Sequence, residues 1–240
     1  RSPHHTISYA VFRLKNTHPL PGEVSLAHCG VLFLDELPEF HRNVLEVLRQ
    51  PLEDGHVTIS RAVATLDFPS QFILVAAMNP CPCGYAGDPK RECRCSSQKI
   101  QAYRNKVSGP LLDRIDIHIE VPPVRYHDLS TLANGEPSEV IRKRVAVCRQ
   151  IQRERFKRLS RVTCNAGMST REVQKYCTLS NDAAELLKMA MSELNFSARA
   201  YDRIVKVART IADMAGSDRI GPEHISEAIQ YRSLDRMMWI

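Results

Sequence analysis

Long hydrophobic runs are absent from this 240-residue sequence. No apolar stretch approaches the roughly 18 residues that a membrane-spanning helix needs, and no signal-peptide pattern opens the chain, so we expect no membrane partner. Internal repeats and low-complexity tracts are also absent, which excludes repeat arrays. The composition, 43% hydrophobic and 25% charged, is that of a globular protein, and the net charge of +6 is compatible with an anionic partner without requiring one.

Two further absences concern the start of the chain and nucleotide binding. The first residues read RSPHHTIS, with no initiator methionine and no polar leader, so we expect the chain to be a piece of a longer protein. No Gly-Lys dipeptide occurs anywhere in it. Because the Walker-type phosphate loop, GxxxxGK followed by Ser or Thr, requires this dipeptide, no such loop lies within these residues.

Cysteine is well represented. Eight cysteines in an otherwise enzyme-like chain indicate a reducing compartment, so we expect a cytoplasmic protein. Four of them lie in the segment CPCGYAGDPKRECRC, as two C-x-C pairs separated by nine residues: Cys81, Cys83, Cys93 and Cys95. Four thiolates on a loop bent by glycine and proline can close a tetrahedral Zn²⁺ site. Since C-x-x-C is the more typical spacing, reduced free thiols are the first alternative and disulfides the second.

The first half of the chain has the pattern of an α/β layer. Residues 31–34 (VLFL) and 72–77 (FILVAA) are uniformly apolar, as expected for strands of a parallel sheet covered on both faces. Between them, NVLEVLRQPLEDG predicts a helix that Pro51 ends early, so the three elements form a right-handed βαβ unit. Alternating residues at 56–66 predict a β-hairpin, and those at 115–121 (IDIHIEV) predict a half-exposed strand.

The second half has the pattern of a helical bundle. Amphipathic segments follow one another after residue 126, and Ser169 with Glu172 predicts a capping box at the start of one helix. We therefore expect an α/β domain over residues 1–125 and an all-helical domain over residues 126–240.

Polar residues follow both apolar strands. Asp35 and Glu36 come directly after 31–34, and Asn79 follows 72–77. Open α/β sheets bind ligands at the carboxyl ends of their strands, where two carboxylates can hold Mg²⁺ and activate a water for phosphoryl transfer. If the strands are neighbours, the Asn79 amide lies beside the carboxylates and can hold a phosphate oxygen or the water. The alternatives are a solvated turn after the first strand and an Asn-Pro turn after the second.

Two arginines are candidates for stabilising phosphate charge. Arg114 precedes the alternating segment, and an arginine finger at such a position is worth about 10³–10⁵ in rate. The alternative is a surface salt bridge to Asp113 or Asp116, which is worth little. Arg199 falls in the first turn of a helix capped by Ser197, where a cation opposes the helix dipole. A nucleotide phosphate near the helix start would offset this cost, and the alternative is a tolerated surface arginine.

In combination, four segments resemble one protein family: GEVSLAHCGVLFLDELPEF, VAAMNPCPCG, SGPLLDRIDIHIEVP and LNFSARAYDRIVKVARTIADM. They are similar to Mg-chelatase-like AAA+ ATPases of the ComM competence-protein type, and the resemblance covers nearly the whole chain. It implies a fold of the α/β class, in which a partial AAA+ core with a RecA-like parallel sheet and an inserted β-hairpin is followed by an all-helical lid domain.

The resemblance also implies roles for the candidate residues. Asp35 and Glu36 correspond to the Walker B pair, in which Asp35 binds Mg²⁺, and Asn79 corresponds to sensor 1. Arg114 corresponds to the arginine finger and Arg199 to sensor 2, both acting on a neighbouring subunit's nucleotide. ATP and Mg²⁺ are then the cofactors, beside Zn²⁺, and a homo-oligomeric ring, usually a hexamer, follows by analogy. The phosphate loop would precede residue 1, so the piece alone should bind ATP poorly and hydrolyse none.

Candidate DNA contacts also come from the resemblance, which makes the segment HVTISRAV a hairpin that points toward the pore of such a ring. Arg61 at its predicted tip is the first candidate for a DNA-phosphate contact, and His56 and Lys99 are weaker ones. Residues 142–161 contain nine Lys or Arg against one acid, Glu154. This run could follow a phosphate backbone, but a solvated helix face or a subunit interface is the more common explanation of such a pattern.

Three functions are compatible with these features. The first is a ring ATPase motor on DNA, a helicase or branch-migration enzyme of natural transformation or recombination. The second is a chelatase ATPase subunit that drives metal insertion into a tetrapyrrole. The third is a non-enzymatic, zinc-stabilised DNA-binding or assembly module. The cysteine loop and the ending EAIQYRSLDR favour the first over the second.

Overall fold

The computed structural model describes residues 1–5, 12–15, 18–60, 65–122 and 135–232. The chain divides into two compact units, the α/β unit Arg1–Ile115 and the helical unit Asp116–Ile240. The boundary expected from the sequence, between residues 125 and 126, falls in a segment outside the described ranges.

The α/β unit is built from short strands and short helices. In chain order it contains β1 (Phe12–Lys15), β2 (His18–Pro21), α1 (Glu23–Leu26), β3 (Val31–Leu34), a 3₁₀ turn (Leu37–Glu39), α2 (Arg42–Val47), α3 (Arg49–Asp54), β4 (His56–Ser60), β5 (Thr65–Pro69), β6 (Ile73–Ala76), α4 (Ser97–Arg104) and α5 (Gly109–Leu112). Over the described residues the strands form three separate pairs: β1 with β2 and β4 with β5 are antiparallel, whereas β3 with β6 is parallel.

The pair β3–β6 confirms the parallel sheet expected from the two apolar runs. Its register places Val31 opposite Ile73. Leu32 and Leu34 are buried, whereas Ile73 and Val75 are 64% and 44% exposed. The expectation that both faces are covered is therefore not met among the described residues, because the face that carries Val31, Ile73 and Val75 is exposed.

The helix predicted between these strands is divided into two. α2 ends at Val47, and Leu48 caps both α2 and the start of α3. Pro51 does not end a helix, because it lies in the first turn of α3, where its missing N–H has no intrahelical partner to lose. α3 ends instead before Gly55, whose φ of 70° lies in the left-handed region that favours glycine.

Strands β4 and β5 lie in the region of the predicted hairpin. They pair antiparallel, from His56 opposite Pro69 to Ser60 opposite Thr65. Residues 61–64, which connect the strands and include the predicted tip residue Arg61, lie outside the described residues.

The segment predicted as a half-exposed strand, 115–121, forms no strand ladder with any of the residues that are described. The main-chain N–H of His118 donates to the carbonyl of Tyr231 at 2.7 Å. His118 is buried, whereas the apolar face that includes Ile119 and Val121 is exposed. The sequence alternation is kept only in part, because His118 on the polar face is buried while Glu120 on the same face is exposed.

The helical unit consists of five α-helices and one 3₁₀ turn over its described residues. They are α6 (Ser138–Phe156), the 3₁₀ turn (Asn165–Gly167), α7 (Thr170–Tyr176), α8 (Asn181–Glu193), α9 (Ala198–Met214) and α10 (Pro222–Gln230). The predicted capping box is confirmed, since Glu172 accepts the N–H of Ser169 at 2.8 Å. The core is formed around α9, whose buried residues include Ile204 and Ala208.

None of the described helices combines the length and the apolar character needed to cross a membrane.

Candidate functional site

The carboxyl ends of β3 and β6 leave the sheet side by side. The backbone pairing continues past both strands, because the N–H of Leu37 donates to the carbonyl of Ala77 at 2.9 Å. Asp35 and Glu36 immediately precede Leu37 on one tip, and Asn79 lies two residues past Ala77 on the other. The structure thus places three predicted site residues, all exposed, at one edge of the sheet.

Glu36 has an uncommon backbone conformation. Its φ of 51° and ψ of 47° lie in the left-handed region, which non-glycine residues rarely adopt. Asp35 supports this turn, since its Oδ1 accepts the N–H of Glu36 at 2.9 Å. Such a conformation costs on the order of 1–3 kcal/mol and is found disproportionately at functional sites. The Glu36 carboxylate remains 53% exposed, so it is accessible to a ligand at the sheet edge.

One neighbour of Glu36 is a residue that the site prediction does not include. His5 Nε2 lies 3.7 Å from Glu36 Oε2, and the His5 ring packs against the rings of His4 and Phe40 at centroid distances of 4.1 and 6.3 Å. Sequence reasoning gives no signal for this pairing, because His5 lies far from Glu36 in the chain and belongs to no motif with it.

The last turn of α4 holds the tip of β6. Tyr103, which is buried, receives a hydrogen bond from the main chain of Asn79, and burial of the phenol raises its pKa. The adjacent residue, Arg104, donates from Nε to the carbonyl of Pro80 at 3.3 Å. These two contacts fix the main chain of Asn79 and Pro80 while the Asn79 side chain stays at the exposed edge.

Arg114 is buried within its own unit. Its side chain is 7% exposed. Nε and Nη2 donate to the carboxylate of Glu53, the former at 3.0 Å, and Nη1 donates to the carbonyl of Pro110 at 2.6 Å. To reach the nucleotide of a neighbouring subunit, as an arginine finger does, the guanidinium would have to leave this pair.

Arg199 lies in the first turn of α9, in the helical unit. The hydroxyl of Ser197 caps this helix as predicted, accepting the N–H of Ala200 at 3.1 Å. The residue is exposed. One turn further on, Arg203 pairs with Asp116 at 2.8 Å, so its charge is balanced within the helical unit.

The four cysteines of the predicted metal site converge. Their sulfur atoms all lie within 4.8 Å of one another. The Cys81–Cys83, Cys81–Cys93 and Cys83–Cys93 sulfur distances are 3.4, 3.7 and 3.6 Å. Tetrahedral Zn²⁺ with Zn–S bonds of about 2.3 Å separates its sulfurs by roughly 3.8 Å, so the cluster is compatible with a zinc site.

Hydrogen bonds within the cluster favour ionisation of one thiol. The main-chain N–H of Tyr85 and the Cys81 thiol lower the pKa of Cys83 to about 6, so Cys83 is largely a thiolate near neutral pH, the form that binds metal. A main-chain hydrogen bond from Cys95 lowers the pKa of Cys93, but burial and the neighbouring thiols outweigh it and raise this pKa to about 12. A cation among the sulfurs would stabilise the thiolate form of Cys93.

The predicted nucleic-acid residues lie in the α/β unit. His56 opens β4 and is exposed, with Nδ1 3.1 Å from the carbonyl of Asp54. Lys99 is exposed in the first turn of α4. The first candidate, Arg61, lies outside the residues that the structure describes.

The basic run 142–161 covers most of α6 and the residues after it. Three of its cations pair with exposed acids: Lys143 with Glu139, Arg144 with Glu136, and Lys157 with Glu154. Arg155 is different, because its guanidinium is largely buried and pairs with Asp213. These contacts support a solvated helix face at the paired positions and give Arg155 a structural role.

Two successive family profiles match the chain. The family described as magnesium chelatase, subunit ChlI, matches residues 1–129, and the one described as magnesium chelatase, subunit ChlI C-terminal, matches residues 135–232. Since the first match alone covers more than half of the chain, the chain belongs to the magnesium chelatase ChlI family.

Within this family the chain is a Mg-chelatase-like protein of the ComM type. It is 46% identical to competence protein ComM of Haemophilus influenzae and 44% identical to the uncharacterized protein YifB of Salmonella typhimurium. Both alignments are 240 positions long and cover 99% of this chain and 46% of each relative. The chloroplastic magnesium-chelatase subunit ChlI of Nicotiana tabacum is 23% identical over 212 residues, 87% of this chain and 43% of that protein. The chain thus spans about half the length of the relatives it matches.

Proposed function

We propose that this chain is part of an ATP-driven ring motor, and that the full-length protein acts on DNA as a helicase or branch-migration enzyme in natural transformation or recombination. The observation that carries the proposal is the meeting of Asp35, Glu36 and Asn79 at the carboxyl ends of two neighbouring parallel strands. Membership of the magnesium chelatase family supports ATP and Mg²⁺ as cofactors. Similarity to competence protein ComM supports a role in competence.

The residues at the sheet edge fit a magnesium–nucleotide complex. They offer two exposed carboxylates and an amide, and oxygen atoms are the ligands that Mg²⁺ prefers. Asp35 would hold the ion, which neutralises phosphate charge when it is bound. Glu36 would accept the proton of the attacking water. Asn79, with its main chain fixed by α4, would orient that water or a γ-phosphate oxygen.

The two arginines enter the proposal as groups that act on a neighbouring subunit's nucleotide. Arg199 is exposed at the start of α9, where a phosphate would offset its unfavourable interaction with the helix dipole. For Arg114 to act in this way, its guanidinium must exchange the Glu53 carboxylate for phosphate. A homo-oligomeric ring, hexameric by analogy with the family, would supply the neighbour. The helical unit would then serve as the lid of the site.

DNA contacts are assigned to the hairpin and to α4. His56 and Lys99 are exposed, and together with Arg61 they are the proposed contacts to DNA phosphates in the pore of the ring. The proposed location of the protein is the cytoplasm. Contacts of this kind release counterions, so DNA binding should weaken as salt increases.

The ATPase rate of the full-length protein, with and without DNA, tests this proposal. We expect ATP hydrolysis that single-stranded or forked DNA stimulates several-fold, with a stimulation that falls as salt rises. A rate that DNA leaves unchanged would contradict the motor and favour a chelatase-type subunit, the activity for which the tobacco relative is named. Absence of ATP hydrolysis under all conditions would leave a DNA-binding or assembly module.

We also propose that the cysteine cluster binds one structural Zn²⁺, because its sulfur separations match a tetrahedral site. Metal analysis of the purified protein should give one zinc per chain. Cys93→Ser should lose it and lower the melting temperature, since binding a structural ion adds folding free energy. Cys164→Ser, at a partly buried thiol outside the cluster, is the control and should keep the zinc. If the unmutated protein contains no metal, the proposed zinc site is wrong.

A further inference from the structure

The cysteine cluster is connected directly to the tip of β6. Cys81, which is fully buried, follows Asn79 by two residues, and Pro80 between them is held by Arg104. Asn79 itself is held through its main chain by Tyr103. The first metal-ligand candidate and the proposed γ-phosphate contact therefore share one short, tightly held segment.

At its other end the cluster is joined to helix α4. Cys95 directly precedes Ser96, which caps α4 by accepting the N–H of Lys99 at 3.3 Å. α4 is eight residues long, and its last two residues are Tyr103 and Arg104. The chain thus leaves the β6 tip, passes through the cluster and returns along α4 to hold the same tip.

The loop between the two C-x-C pairs has little structure of its own. No helix or strand lies between residues 84 and 92. Its contacts are local: the Gly84 N–H donates to the carbonyl of Cys81 at 3.0 Å, the Lys90 N–H to Asp88 at 2.7 Å, and Arg91 to the hydroxyl of Tyr85 at 2.7 Å. Bonds from one metal ion to all four sulfurs would therefore form the strongest link between the start of this loop and the start of α4.

We infer that metal bound at the cysteine cluster positions Asn79 through α4, so that the metal site governs nucleotide turnover more than nucleotide binding. The inference rests on the proposed function for the role of Asn79. Cys81, Cys95 and Tyr103 are positioning residues in this scheme, because they act on the main chain of Asn79 and do not touch the nucleotide.

Turnover and zinc content of matched variants of the full-length protein test the inference, with Mg²⁺ in excess. Cys95→Ser should lose zinc and reduce kcat by about 10- to 100-fold, the cost of misplacing a catalytic group by about 1 Å. The KM for ATP and the number of nucleotides bound per chain should stay the same. Cobalt(II), added to zinc-free unmutated protein, should restore turnover together with thiolate-to-cobalt absorption.

A second pair of variants separates the helix contact from the metal. Tyr103→Phe removes only the hydroxyl that meets Asn79, so it should keep the zinc and reduce kcat by about 3- to 10-fold, the value of one hydrogen bond. Tyr231→Phe is the matched control. Its hydroxyl donates to Glu227 at 3.0 Å in the helical unit, and its loss should leave both zinc and kcat unchanged.

Hydrogen exchange provides a readout that does not depend on catalysis. Zinc removal should accelerate exchange in peptides covering residues 77–82 and leave α9 unchanged. Unchanged exchange at 77–82, full turnover without zinc, or a loss of turnover in proportion to lost nucleotide binding would each overturn the inference while the proposed ATPase stands. Zinc-loaded protein that hydrolyses no ATP would contradict the proposed function, and exchange at 77–82 would still decide whether the metal orders this tip.

Discussion

Replacing Glu36 by glutamine should reduce ATP turnover of the full-length protein by about 10²- to 10⁴-fold, the range that a positioned general base contributes. The amide has nearly the shape of the carboxylate, but it cannot take a proton from the attacking water. Glutamine can share the left-handed backbone of this position, and the side chain is half exposed, so folding and ATP binding should be kept. Phosphate release and equilibrium ATP binding, measured on the same samples, separate the two effects.

Glu39→Gln is the matched control for this experiment. Glu39 is the last residue of the 3₁₀ turn that Glu36 caps, and its carboxylate lies 3.5 Å from Lys106 in an exposed pair, which is worth little. We expect its turnover to equal that of the unmutated protein. Wild-type turnover in Glu36→Gln would remove Glu36 from the role of base, and equal losses in both variants would show that the effect is not specific to Glu36.

The sheet edge could be predicted because its signals are local. Two uniformly apolar runs indicate parallel strands, and polar residues at their ends must then meet at one edge. The pairing of β3 with β6 places Asp35, Glu36 and Asn79 there. The break at Leu48 could not be predicted, because Val44, Leu45 and Leu48 keep helical spacing across it and all face the core.

Ion pairs made by largely buried arginine side chains are where sequence reasoning fails. Arg155 belongs to the basic run, yet its guanidinium pairs with Asp213, 58 residues away in the chain. Arg114 pairs with Glu53, 61 residues away. Spacing along one helix predicts which residues share a face, but it carries no information about a partner on a distant element. For Arg114 the consequence is functional, since its pairing competes with the role that the family resemblance implies.

The Arg155–Asp213 contact gives the second large effect. Asp213→Ala should lower the free energy of unfolding of the helical unit by about 3–5 kcal/mol, the cost of removing one partner from a buried ion pair. The Asp213 side chain is 1% exposed and accepts from Arg155 at 2.6 Å, Asn165 at 2.8 Å and Arg209 at 3.0 Å. Arg209 is buried as well, so its charge would lose its counter-charge. Urea unfolding measures this loss. In the same experiment the control Glu185→Ala, at an exposed position of α8, should change the free energy of unfolding by no more than about 0.5 kcal/mol.

The same carboxylate should make this stability depend on pH. Burial acts to raise the pKa of Asp213, but hydrogen bonds from Arg155 and Asn165 and the charge of Arg209 outweigh it and lower the pKa. The unfolded chain therefore takes up the proton first, so the contribution is complete above the unfolded value, near pH 4, and is lost as pH falls through the lower folded value. Asp213→Asn cannot titrate, so its deficit relative to the unmutated protein should be constant at neutral pH and shrink below about pH 4. A deficit that stays constant down to the acid transition would mean that the Asp213 charge does not stabilise the helical unit.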